Sequence, residues 1–91
     1  MIRCHIFVIG HVQGVLFRRF VYRKANHLDL KGWVRNKDHN QVEIIVEGEE
    51  RKINELISLC RKGPSNAEVK DIKIEKENYR GDLNGFGIAY S

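Results

Sequence analysis

Two apolar periodicities alternate along the chain, and the switches between them mark its elements. Arg3 to Gly10 (RCHIFVIG) is a short apolar run rich in branched residues, and it reads as a buried strand ending at Gly10. From Phe17 the period lengthens: Phe17, Phe20, Val21, Ala25 and Leu28 fall on one face of a helix. Residues 31–36 (KGWVRN) read as a second strand. The polar run Lys37-Asp38-His39-Asn40 is a turn, because Asp and Asn tolerate left-handed backbone. Gln41 to Glu47 then alternates, with Val42, Ile44 and Val46 on one face, which closes a hairpin that ends at Gly48. Glu49 and Glu50 open a second helix whose apolar face is Ile53, Leu56, Ile57 and Cys60. Its acids sit at the positive end of the dipole and Arg61 and Lys62 at the negative end, before Gly63-Pro64 stops it. Residues 67–77 form a fourth strand, 79–85 a polar loop, and Phe86 to Tyr90 a short fifth strand.

This order, β-α-β-β-α-β plus a last strand, predicts an α+β, ferredoxin-like sandwich. Two helices cover one face of an antiparallel sheet, and the second strand is expected to run beside the first. No repeat, linker or low-complexity stretch interrupts the chain, so residues 1–91 are expected to form a single domain. This fold hosts many activities, so function has to be argued from a site.

Composition narrows the setting. No apolar run approaches the roughly 20 residues a membrane helix needs, and no signal peptide is evident, so a soluble cytoplasmic protein is expected. Cys4 and Cys60 form no CxxC pair, and with four scattered histidines they make no zinc ligand set. Cys60 continues a helical apolar face and is expected in the core.

The net charge of +4 first suggests nucleic acid. Its distribution argues otherwise. Residues 1–28 carry Arg3, Arg18, Arg19, Arg23 and Lys24 and no acid; the rest of the chain holds eleven Lys/Arg against twelve Asp/Glu. A local cluster of this kind suits a small anion as well as a polymer.

The cluster meets a glycine-rich junction, Gly10-His11-Val12-Gln13-Gly14-Val15-Leu16-Phe17-Arg18-Arg19, between the first strand and the first helix. Two glycines four residues apart allow a curled loop whose N–H groups turn inward as an anion nest. The helix behind it adds unpaired N–H groups and a positive dipole end. Arg18 and Arg19 oppose that dipole unless an anion meets them. Covering apolar surface with their stems is the plainer alternative.

Residues 8–18 resemble the first signature of acylphosphatases, aliphatic-x-G-x-V-Q-G-V-x-F-R. Gly32-Trp33-Val34-Arg35-Asn36, followed by Val42 and Gly48, resembles the second. Length, element order and the aromatic C-terminal strand (Phe86, Tyr90) also agree. One position departs: Asn40 stands where the family pattern has glycine, and it is expected to take a left-handed turn conformation at a small cost in stability.

The resemblance implies hydrolysis of a carboxyl–phosphate mixed anhydride to a carboxylate and inorganic phosphate. The carboxylate leaves readily, so charge stabilisation and a placed water suffice. Backbone N–H groups of His11, Val12, Gln13, Gly14, Val15, Leu16 and Phe17 would cradle the phosphoryl oxygens, with their side chains mattering less. Arg18 would contact the same oxygens, and Asn36 would orient the attacking water. The substrate's own phosphate would take the proton. No metal or cofactor is implied.

Arg19 is expected to be a solvated helper. Arg35 and Lys31 add at most a general positive field. His5, His11, His27 and His39 fill no motif position that demands histidine, and Glu43, Glu47, Glu75 and Glu77 read as solvent-face strand residues. A catalytically weak anion-binding or regulatory domain is one alternative. An RNA-binding ferredoxin-like module is the other; Lys31-Gly32-Trp33-Val34 imitates the start of its aromatic run, on the wrong strand. A monomer acting on a small acyl phosphate, without nucleic-acid or membrane partners, is the expectation.

Overall fold

The computed structural model describes residues 1–90; residue 91, the last of the span read as one domain, lies outside the described residues. Seven elements follow in the expected order: β1 (Ile2–His11), α1 (Phe17–His27), β2 (Lys31–Lys37), β3 (Gln41–Gly48), α2 (Glu50–Lys62), β4 (Glu68–Glu77) and β5 (Phe86–Ile88). The sheet order is β4-β1-β3-β2-β5. The first three pairings are antiparallel, and β5 adds parallel to β2.

β2 does not lie beside β1, as the sequence reading had it. β3 runs between them, with Ile6 opposite Ile44 and Val34 opposite Ile44 on the other side. The physical reason is burial. β1 and β3 carry the most continuous apolar stripes, Cys4, Ile6 and Val8 against Val42, Ile44 and Val46, and these take the centre under the helices. β2 offers only Gly32, Val34 and Asn36 on that face.

The core joins these strand residues to Phe17, Val21 and Ala25 of α1 and to Ile53, Leu56, Ile57 and Cys60 of α2. Both helices bury the faces their periodicity marks, because side chains three and four apart stack on one side of a helix. Burial pushes the Cys60 thiol up to about 12, which keeps it protonated and unreactive at neutral pH.

The opposite face of the sheet overturns one expectation. Glu43 and Glu47 are not solvated: they are 4% and 3% exposed. Strand alternation puts cations directly across from them, with Arg3 in register with both Glu47 and Glu77. Arg3 donates to Glu47 at 3.0 Å and to Glu77 at 2.9 Å, while His5 and Arg35 each meet Glu43 at 2.6 Å. The loop after β4 folds over this face, and the N–H groups of Arg80 and Gly81 donate to Glu47. Burial alone would raise both carboxyls, but these hydrogen bonds outweigh it and hold them below the ordinary carboxylate range. Glu75 is exposed and Glu77 half-buried, as solvent-face residues.

Candidate active site

The site forms where β1 hands over to α1. The β1–β4 register shifts between Ile9 and Gly10. Gly10 takes φ +142°, and a Cβ there would run into the Glu68 carbonyl, so only glycine lets the strands close at this bulge. His11 still pairs with Glu68 as the last residue of β1, so the loop proper starts at Val12. Gly14 supplies a left-handed turn at φ +73°.

Gln13 anchors the loop through its side chain. Its Nε2 donates toward the carbonyls of Lys37, Asp38 and Gln41 at 3.2, 2.9 and 2.9 Å. An amide has two hydrogens, so three carbonyls share them and the loop is tied to the β2–β3 hairpin. The expectation that loop side chains matter little does not hold for Gln13.

Leu16, the N-cap of α1, sits at φ 63° with its side chain 74% exposed. A left-handed leucine costs about 1–2 kcal/mol, and such strain concentrates at functional sites. Phe17 then fixes the helix by burying its ring in the core. The first helical bond runs from the Phe20 N–H to the Leu16 carbonyl at 3.0 Å. Among the described residues, no backbone carbonyl accepts from the N–H groups of residues 12–19. A run of unpaired donors at a curled loop and helix start is the anatomy of an anion nest.

Two side chains complete the cleft. Arg18 is half-buried, with its guanidinium carbon 4.9 Å from the centre of the Tyr90 ring. That cation–π contact holds the side chain beside the loop. β5 is shorter than the Phe86–Tyr90 span expected, because the chain leaves the sheet after the Ala89 N–H bonds the Val34 carbonyl at 2.8 Å. This exit frees Tyr90 to meet Arg18. Asn36 lies two residues beyond Val34 on the same helix-covered face, at the end of β2 nearest the α1 start. Its Oδ1 is buried and accepts no hydrogen bond from any described residue. A buried orphan acceptor is costly unless it serves a role.

A cleft of about 300 Å³ brings together Val12, Gly14, Leu16, Phe17, Arg18 and Asn36 with Arg19, Ile88 and Tyr90. His11, Gln13 and Val15 do not line it: His11 ends β1, Gln13 turns to the hairpin and Val15 packs on the core. Tyr90 and Ile88 went unassigned in the sequence reading, although the aromatic C-terminal strand had been noted. Arg19 lines the cleft from an exposed position. No acidic residue is among the lining groups, so the cleft is positive at neutral pH.

Asn40 is not in the left-handed region. Asp38, at φ 55°, makes that turn, and the Asn40 carbonyl accepts from the Gly10 N–H at 2.9 Å. The hairpin therefore needs no glycine at position 40. His5, Glu75 and Glu77, whose ligand-type atoms lie within 4.8 Å of one another, occupy the opposite sheet face, where Glu77 is bonded to Arg3.

The arrangement can hold a tetrahedral or trigonal oxyanion in a ring of N–H donors, neutralise it with a guanidinium, and offer an amide oxygen to a nearby O–H. Comparison with known proteins agrees with that chemistry. The family model for acylphosphatases matches residues 4–88. An acylphosphatase of Moorella thermoacetica is 49% identical over 82 residues, covering 90% of this chain and 88% of its own length. One from Syntrophus aciditrophicus is 41% identical over 99% of this chain and 94% of its own. The crystal structure of acylphosphatase from Bacillus subtilis superposes with a TM-score of 0.94 at 36% identity, covering 99% of this chain and all of that one. The chain belongs to the acylphosphatase family.

Proposed function

We propose that acyl-phosphate hydrolysis is carried out here by the 12–17 loop, Arg18 and Asn36. The observation that carries this reading is the buried Asn36 Oδ1 without a partner, in the same cleft as Arg18 and a run of unpaired backbone N–H groups. The phosphoryl oxygens sit in the loop and against the helix N-terminus, where dipole and N–H groups favour negative charge. Arg18 adds a charge-assisted contact to the same oxygens. Asn36 Oδ1 accepts from the attacking water and aligns it with phosphorus.

Water oxygen bonds to phosphorus as the bridging P–O bond breaks, and the bond pair leaves with the carboxylate. The water's proton passes to a phosphoryl oxygen, giving inorganic phosphate. The lining of the cleft offers no carboxylate or imidazole to act as base, which agrees with that route. The leaving group is already stable as an anion, so no general acid is required. The protein's task is preorganised charge stabilisation.

The reading extends to a cytoplasmic monomer, acting as one domain over residues 1–91 on a small acyl phosphate. No helix among the described residues is long and apolar enough to cross a membrane. Against nucleic acid stands the sheet face away from the helices, where an RNA-binding module stacks bases. Here the loop after β4 folds over that face, with the Arg80 and Gly81 N–H groups bonded to Glu47.

The roles of Arg18 and Asn36 separate kinetically. Asn36→Ala, assayed on benzoyl phosphate, is expected to lower kcat at least about 100-fold with KM little changed, because water placement matters only on the way to the transition state. A fall confined to KM would assign Asn36 to substrate binding and overturn its role.

A further inference from the structure

A second concavity, about 490 Å³, runs along the outer face of α1 beside the catalytic cleft. Arg19, Phe20, Arg23, Lys24, His27 and Pro64 line it. Leu16 and Arg19 line both spaces, so the two are adjacent. Phe20 and Pro64 give the groove an apolar floor, and Lys24 Nζ stands 5.6 Å above the Phe20 ring. No acid lines it, and α1 contains none. Among the described residues no carboxylate pairs with Arg19, Arg23 or Lys24. Like charges one helical turn apart, such as Arg19 and Arg23, destabilise a helix. Cations gathered in one concavity with an apolar floor and no acid suit an anionic ligand.

Position gives that ligand its identity. A substrate held by its phosphoryl group in the loop has room to extend its acyl part past Leu16 and Arg19, which line both spaces. Arg23 lies one turn further along the helix, about 5–6 Å on between Cβ atoms. We propose that the groove receives the acyl part of the substrate and selects acyl groups that carry a second negative charge, with Arg23 and Lys24 as specificity-determining residues. The proposal rests on the reading of the loop and Arg18 as the phosphoryl site. The distal charge is the same in ground and transition states, so the groove acts through KM and leaves kcat nearly unchanged.

The test compares benzoyl phosphate with its 3-carboxy derivative, on the native chain and on Arg23→Gln, with folding checked by thermal melting. Native protein is expected to favour the carboxylated substrate roughly tenfold in kcat/KM at low salt, through KM. Arg23→Gln should cut that preference to about twofold without altering benzoyl phosphate kinetics, and high salt should do the same to the native chain. Hydrolysis of both substrates without preference, or a preference that survives in Arg23→Gln, overturns the groove proposal and leaves the site reading standing. Hydrolysis of neither overturns both.

Discussion

The two helices lie on the same face of the same sheet, and only one of them offsets the cations at its start with acids. α2 has Glu50 in its first turn, Arg61 and Lys62 in its last, and an extended N-cap at Glu49. Arg51 and Lys52 also fall in that first turn, but Glu49 and Glu50 offset them there, and Lys52 pairs with Glu49 at 3.3 Å. α1 begins with Arg18 and Arg19, has no acid, and is capped by a left-handed Leu16. Neither helix has a side-chain cap. Both are held by their buried faces, so packing does not explain the difference. The cations at the start of α2 have acids beside them, whereas those at the start of α1 would be offset by an anion bound there. Cations left without an acid at one helix start, and offset at the other, single out the start of α1 as the candidate site.

The largest effect should come from Arg18, at the helix start that has no acid. Arg18→Ala is expected to lower kcat/KM for benzoyl phosphate at least about 100-fold, the scale for losing a preorganised transition-state contact. Arg61→Ala, at the conforming end of α2, should leave it unchanged. Equal losses in the two variants would erase the contrast. Charge reversals sharpen it on a smaller scale. Glu50→Lys should cost roughly 0.3–1 kcal/mol in urea unfolding, whereas Arg19→Glu should stabilise the phosphate-free protein by a similar amount. Destabilisation by both would show that the start of α1 is not in conflict with its dipole. The smallest effect concerns position 40. Because Asn40 is not left-handed, Asn40→Gly should destabilise by about 0.5 kcal/mol through unfolded-state entropy. Stabilisation would restore the strained-turn reading.

What could be read from the chain follows the range of the interactions. The elements were legible because periodicities of two and 3.6 are local, and the conflict of Arg18 and Arg19 with a helix start was legible for the same reason. Asn36 was reachable only through the resemblance, because its partnerless oxygen depends on β2 ending beside α1. Gln13 reaches three carbonyls 24 to 28 residues away, and no local pattern announces that. The contact of Tyr90 with Arg18 joins opposite ends of the chain. Glu43 and Glu47 alternated like solvent-face residues, and their burial came from cations on neighbouring strands and a loop folded over them. Leu16 fills a free position of the signature, so nothing in its identity marked it as the left-handed cap.

The central claim is that the start of α1 is completed by a phosphate-like anion. Thermal unfolding with increasing inorganic phosphate tests it directly, because a ligand bound only by the folded loop raises the Tm with the logarithm of its concentration above Kd. The native chain and Glu50→Lys should both rise in Tm at millimolar phosphate, and Arg18→Ala should rise little or not at all. A native Tm indifferent to phosphate, or an equal rise in Arg18→Ala, would contradict the account.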